Sequence, residues 1–212
     1  MIKFPLLLGT IAASIATIVA IVILHDPAPT PADPFEGLHL SAQDEIDLLD
    51  DEILDSPSVS YQSDTFGYKL SYPGTWELDD SRTDFGGDVL SDPSARVVIT
   101  INETKDESLM TPEGMQNMAT SVEESLRLDP SFTLTKFERL VWKHDPTIFT
   151  DGVRNIGGKR FHTREYNIFR AKHGGVLNVS ITTQEDAETL YEEILQNILQ
   201  SLDVCPKGRE VQ

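Results

Sequence analysis

Cysteine is nearly missing from this chain. Cys205 is the one thiol in 212 residues, so no intramolecular disulfide can form, and its place beside Pro206 near the carboxyl end bars it from serving as an amino-terminal lipid acceptor. It reads as an incidental free thiol in the tail. Positive charge is also scarce. Residues 26–57 hold ten Asp and Glu and no Lys or Arg, the first 25 residues hold only Lys3, and the formal net charge is −18. A surface of that sign repels a phosphate backbone and argues against nucleic acid as a partner. Catalytic signatures are missing too. Ser71 lacks the glycines of a nucleophile elbow, and Gly157-Gly158 and Gly174-Gly175 precede extended stretches rather than helices, so neither pair can cradle a phosphate. No catalytic residue and no cofactor-binding residue is assigned.

Long apolar runs are confined to one. Phe4 to Leu24 is uncharged throughout, follows Lys3, and at ~1.5 Å per helical residue reaches roughly 31 Å, the thickness of a bilayer core. The following HDPAPTPADP is a poor cleavage site, which favours an uncleaved transmembrane anchor over 4–24 rather than a long signal sequence. Lys3 and the amine on one side, against ten acids on the other, orient residues 1–3 to the cytoplasm and export the rest. The membrane is thus one expected partner, and the expected location is the cytoplasmic membrane with the domain outside.

Residues 25–57 read as a linker. Pro27, Pro29, Pro31 and Pro34 make its first part a polyproline-biased spacer. Ser41 to Leu54 then brings a capping serine, acids in the first turn, and Ile46, Leu49, Ile53 and Leu54 at helical spacing, which predicts a short helix over 42–54. Its functional readings are a docking helix for a basic partner or a cation-collecting segment, against a solvated acidic connector or a disordered stretch. The latter pair is the simpler.

A folded domain is expected over 58–203, with 204–212 as a tail. Thr65 to Trp76 opens it. Phe66, Tyr68, Leu70 and Tyr72 alternate on one face, Pro73-Gly74 ends the strand, and Trp76 is placed to close a core. Glu77 to Pro93 reads as a loop or irregular edge anchored by Phe85, Val89 and Leu90, and Arg96 to Asn102 as a buried strand. Thr111-Pro112-Glu113 starts a helix carrying Met115, Met118, Val122 and Leu126 inward. Phe132 to Trp142 reads as a strand with a bulge or break near Arg139, and Lys143 to Thr150 as a loop. Lys159 to Ala171 and Val176 to Thr182 flank a Gly174-Gly175 turn as a hairpin. Gln184 to Leu202 is an amphipathic helix with Ala187, Leu190, Tyr191, Ile194, Leu195, Ile198 and Leu202 on one side.

Metal ligation turns on His144-Asp145, His162, Glu165 and His173. An odd separation on one strand sends His162 and Glu165 to opposite faces, so they cannot share an ion without a bulge. The acidic linker lacks the alternating oxygen ligands and the glycine of a calcium loop. No metal ligand is assigned and no cofactor is expected.

FGYKLSYPGTW, RVVITIN, a helix, GGKRFHTREYNI, the HGG turn, VLNVSIT and a closing helix ending in LQSL follow one another in an order that resembles the PsbP-like family, over roughly residues 61–202. The resemblance implies an α+β fold: an antiparallel β-sheet flanked by α-helices on both sides. It also implies an accessory or assembly role for an extracytoplasmic or lumenal component rather than catalysis. The amino end lacks the character of a transit peptide, which points to a membrane-anchored prokaryotic member and away from a photosystem role. The expected function is a non-enzymatic binding or assembly factor with a protein partner in the envelope. The alternatives are an envelope enzyme with an unrecognised pocket, or a small-molecule or lipid carrier.

Overall fold

The computed structural model describes residues 56–81, 86–170 and 174–204. The apolar run over 4–24, the helix expected over 42–54, Phe85, His173 and Cys205 lie outside the described residues. Among those described, no helix is long and apolar enough to cross a membrane.

Seven strands form one antiparallel sheet in the order β3-β4-β5-β9-β8-β7-β6. They are β3 (Glu77–Asp79), β4 (Asp88–Ser91), β5 (Val97–Lys105), β6 (Phe132–Trp142), β7 (Asp145–Ile156), β8 (Lys159–Arg170) and β9 (Gly175–Gln184). Strands β1 (Ser58–Ser63) and β2 (Tyr68–Pro73) make a separate hairpin. Among the described residues two α-helices join them, α1 (Pro112–Leu128) and α2 (Glu188–Ser201).

The helices lie on opposite faces because the strands between them alternate. On β9, Leu177, Val179 and Ile181 point to one side and join Val97, Ile99, Ile101 and Ile168 beneath Tyr191, Ile194, Leu195 and Ile198 of α2. Val176, Phe169, Ile148 and Phe132 point to the other, beneath Met118, Val122 and Leu126 of α1. Local chemistry agrees with this placement. Thr111 caps α1, its Oγ1 accepting from the Gly114 amide at 2.9 Å, with Pro112 at the first helical position. At the far end, Asp129 accepts from the Ser131 amide at 2.8 Å and from Arg154 Nη1 at 2.7 Å. Burial works to raise the Asp129 carboxyl, but the Ser131 and Arg154 bonds outweigh it and hold the group below its ordinary value.

Several expectations need correcting. The opening strand is shorter than Thr65 to Trp76 suggests: Phe66 sits in the turn before Tyr68, and β2 pairs with β1 rather than with the main sheet. It is tied to the carboxyl end instead, since the Lys69 amide donates to the Asp203 carbonyl and the Asp203 amide to the Lys69 carbonyl, both at 2.8 Å. Trp76 does close the core, edge-on to Tyr191 with centroids 6.0 Å apart. Glu77 to Pro93 contains two strands, β3 and β4, in which Val89 and Leu90 are buried. The irregularity in β6 falls at Thr135, between the pairs Leu134↔Gly152 and Lys136↔Asp151, and not at Arg139. Lys143 to Thr150 is not a loop. Only Lys143 and His144 turn the chain, at φ of 53° and 122°, and β7 begins at Asp145. Neither residue favours that region, and the turn is held by Lys143, whose Nζ donates to the carbonyls of Gln200 and Leu202, each at 2.6 Å. That contact also places a cation at the carboxyl end of α2, where the helix dipole favours it.

Candidate functional site

α2 packs on β8, with Tyr166 and Trp142 partly buried at the edge of its core, and β7 and β6 continue outward on the same face. What those strands present there follows from register. Tyr166 on β8 faces Phe149 on β7, which faces Glu138 on β6; Arg164 faces Asp151, which faces Lys136. Trp142 closes β6 on the same side. The Tyr166 ring lies 4.9 Å from Phe149 and 5.9 Å from Trp142, centroid to centroid, so three aromatics form a continuous shelf. Two lysines rim it: Lys136 Nζ stands 5.6 Å from the Phe149 centroid and Lys143 Nζ 5.5 Å from that of Trp142. Lys136 also pairs with Glu138 at 3.0 Å. Burial raises the Tyr166 phenol above its ordinary value, so it stays protonated as a donor.

Beside the shelf, at the amino end of α2, lies a knot of charge. His162 Nε2 is 2.5 Å from Asp151 Oδ1, and its Nδ1 is 2.7 Å from Glu188 Oε1. The ring thus bridges Asp151 on β7 to Glu188 on α2. Arg164 reaches Glu188 at 3.0 Å and Glu192 at 2.7 Å. Burial opposes the charge on Arg164, but Glu192, Glu188 and Asp151 prevail and hold it above its ordinary value. Burial likewise acts to raise Glu192, and the bonds from Gln196 and Arg164 bring it below the usual carboxylate range instead. Every acid and base here is engaged with another, so the knot fixes α2 on the sheet. It presents no nucleophile with a free base beside it.

The residues weighed for metal are dispersed. His162 is in the knot, Glu165 is on the opposite face of β8, and His144 is in the β6–β7 turn. Among the described residues, no group of three or more His, Cys, Asp and Glu could hold an ion. Glu165 is half-buried and forms no hydrogen bond or ion pair with any described residue, and burial raises its pKa despite Arg154. The shelf went unassigned in the sequence because Phe149 fell in a stretch read as a loop. The available signal was the pairing of β6 with β8 through a strand starting at Asp145.

No protein-family model matches the chain and no curated protein sequence does. Solved structures of similar fold include cyanobacterial PsbP (CyanoP) from Synechocystis, at a TM-score of 0.53 and 15% identity over 70% of this chain and 93% of that one. LpqN of Mycobacterium tuberculosis, described as involved in cell envelope biogenesis, is similar at a TM-score of 0.50 and 16% identity, over 80% of this chain and 100% of that one. The Ran-binding protein Mog1p of Saccharomyces cerevisiae gives 0.45 and 9%, over 71% and 96%. The described domain, an antiparallel sheet with a helix on each face, therefore has a PsbP-like fold.

Proposed function

We propose that this chain is a non-enzymatic binding or assembly factor, anchored in the cytoplasmic membrane by residues 4–24, whose PsbP-like domain docks a protein of the envelope on the shelf formed by Trp142, Tyr166 and Phe149. The observation carrying this reading is the shelf itself. It sets half-buried Trp142 and Tyr166 around a buried Phe149 with a lysine rim at the edge of the α2 core, and aromatic surfaces with a polar rim are what protein interfaces are built from. The absence of a free nucleophile and base in the neighbouring charge knot favours binding over catalysis. A fold shared with CyanoP and LpqN fixes no partner by itself.

The test is photocrosslinking in intact membranes, with a crosslinking side chain at Leu140, which shares the shelf's face, or at Leu128, which is 82% exposed at the end of α1. A discrete adduct at Leu140 that Lys136→Glu or Trp142→Ala abolishes, with none at Leu128, is the expected result. No adduct at Leu140, or equal adducts at both, overturns it. Separately, the full chain should resist alkaline extraction from membranes and a chain lacking residues 1–24 should not; a full chain released by alkali would refute the anchor.

A further inference from the structure

The face of the sheet that carries α1 changes character along the strands. At one end α1 packs Met118, Val122 and Leu126 on Ile148, Phe169 and Val176. Further along, pairing sets Thr150 of β7, Glu165 of β8, Ser180 of β9 and Thr100 of β5 side by side in one row of that face. Directly opposed residues on neighbouring strands hold their Cβ atoms ~4.5–5.5 Å apart, so Glu165 has a hydroxyl on either side, with Thr100 one strand beyond Ser180.

This row is left open where its neighbour is closed. One row toward α1, Asn178 Nδ2 donates to Asn102 Oδ1 at 2.9 Å and to Thr104 Oγ1 at 3.0 Å, so those polar groups are satisfied within the fold. In the row of Glu165 no hydrogen bond joins any two of the four side chains. Thr100 Oγ1 and Ser180 Oγ are buried without a partner, and Thr100 is 4% exposed. Glu165 is half-buried and bonds to no described residue, while Arg154, the cation that acts on its carboxyl, is engaged by Asp129 at 2.7 Å. Buried polar groups without partners cost stability, and a ligand that completes their bonds removes that cost.

We propose that this row binds a small molecule carrying a primary ammonium group, seated on Glu165 between Thr150 and Ser180. An ammonium has three donors and no acceptor, and the row offers it three acceptors: the Glu165 carboxylate and the two flanking hydroxyls. Charge selects the same class. Glu165 has no cation bonded to it, and a chain of net charge −18 concentrates cations and repels anions. Burial disfavours the ionised carboxyl, and an ammonium set against it restores that state. Thr100 continues the row toward β5 and gives the remainder of the molecule a further hydroxyl. The site lies on the opposite face of β8 from the aromatic shelf, so it is independent of docking there.

The experiment is calorimetry on the purified full chain with three probes: putrescine, its uncharged diol analogue butanediol, and tetramethylammonium, which carries the charge without a donor. Putrescine should bind saturably and at least ~10-fold more tightly than either of the others, since each of them lacks the charged hydrogen bond to Glu165. Glu165→Gln should weaken putrescine by ~10-fold or more and Ser180→Ala by ~3-fold, with each variant melting as cooperatively as the parent. Glu77→Gln, an equal loss of charge on an exposed position of β3, should leave the affinity as it was. No saturable binding at millimolar putrescine overturns the proposal. Butanediol binding as tightly as putrescine overturns it in favour of a neutral ligand. Equal binding of tetramethylammonium, or a Glu77→Gln effect as large as that of Glu165→Gln, overturns it in favour of attraction to charge alone.

Discussion

Strand β8 carries both faces of the sheet, and they differ in whether their charged groups are matched. On the α2 side, His162, Arg164 and Arg170 each meet a carboxylate, from Asp151, Glu188, Glu192 and Glu103. On the α1 side, one residue along, Glu165 bonds to no described residue, and across from it Ser180 and Thr100 hold orphaned hydroxyls. The strand is the same and so is the geometry. The difference lies in charge: among the described residues the cations of the α2 side each meet a carboxylate, and Glu165 on the α1 side meets no cation.

The sharpest break of the matched face is Arg170. Among the described residues it is the most deeply buried cation, ion-paired with Glu103 and donating from Nη1 to the carbonyls of Phe66 and Gly67 at 2.6 and 3.2 Å. Those bonds hold the β1–β2 turn against the sheet. Arg170→Met leaves a buried carboxylate and two carbonyls without it, and should cost about 3–5 kcal/mol. Adding Glu103→Met should recover part of that, because the carboxylate that Arg170 met is removed with it, while Lys105, whose Nζ stands 3.6 Å from Glu103 Oε2, loses a partner. Chemical denaturation of the two variants checks this. A single variant as stable as the parent would mean the pair does not organise that face.

Next in size is Lys143→Met. Its ammonium closes α2 onto the β6–β7 turn by bonding the carbonyls of Gln200 and Leu202. Losing a charged bond to the negative end of a helix should cost about 1 kcal/mol. Hydrogen exchange should rise in the last turn of α2 and leave α1 as it was, which ties the loss to the matched face. His144→Gly relieves the positive φ of the same turn and should act in the opposite direction.

Much of this architecture was legible because it is periodic. The spacing of Met118, Val122 and Leu126, the cap at Thr111, the face of α2 and the glycine turn before β9 are each encoded within a short window. Aperiodic parts were not. β3 and β4 are too short and too rich in Asp, Gly and Ser to show alternation, and the Lys143-His144 turn carries none of the Asn-Gly or Asp-Gly chemistry that announces a tight hairpin. Misreading that turn hid Phe149, and with it the shelf, whose aromatics come from three strands that only pairing brings together. Arg170 and Glu103 meet 67 positions apart in the chain, a contact that depends on the order of strands and leaves no local trace.

The finest probe of the contrast is Glu165→Gln. Burial raises the folded-state pKa of this carboxyl above its unfolded value. The folded chain then binds the proton more tightly than the unfolded one, so stability falls as pH rises from the ordinary glutamate range through the raised value. Glutamine keeps the shape without the ionisation. The variant should match the parent in acid, where Glu165 is protonated in both states, and melt progressively higher than the parent as the pH is raised. A carboxylate matched by a cation, such as Glu192 with Arg164, should give the opposite sign on the same substitution, because ionisation there is favoured by folding. Thermal melts of Glu165→Gln and Glu192→Gln across the acid-to-neutral range read both signs at once. Two curves moving in the same direction would mean that the faces of β8 do not differ in the way their partners imply.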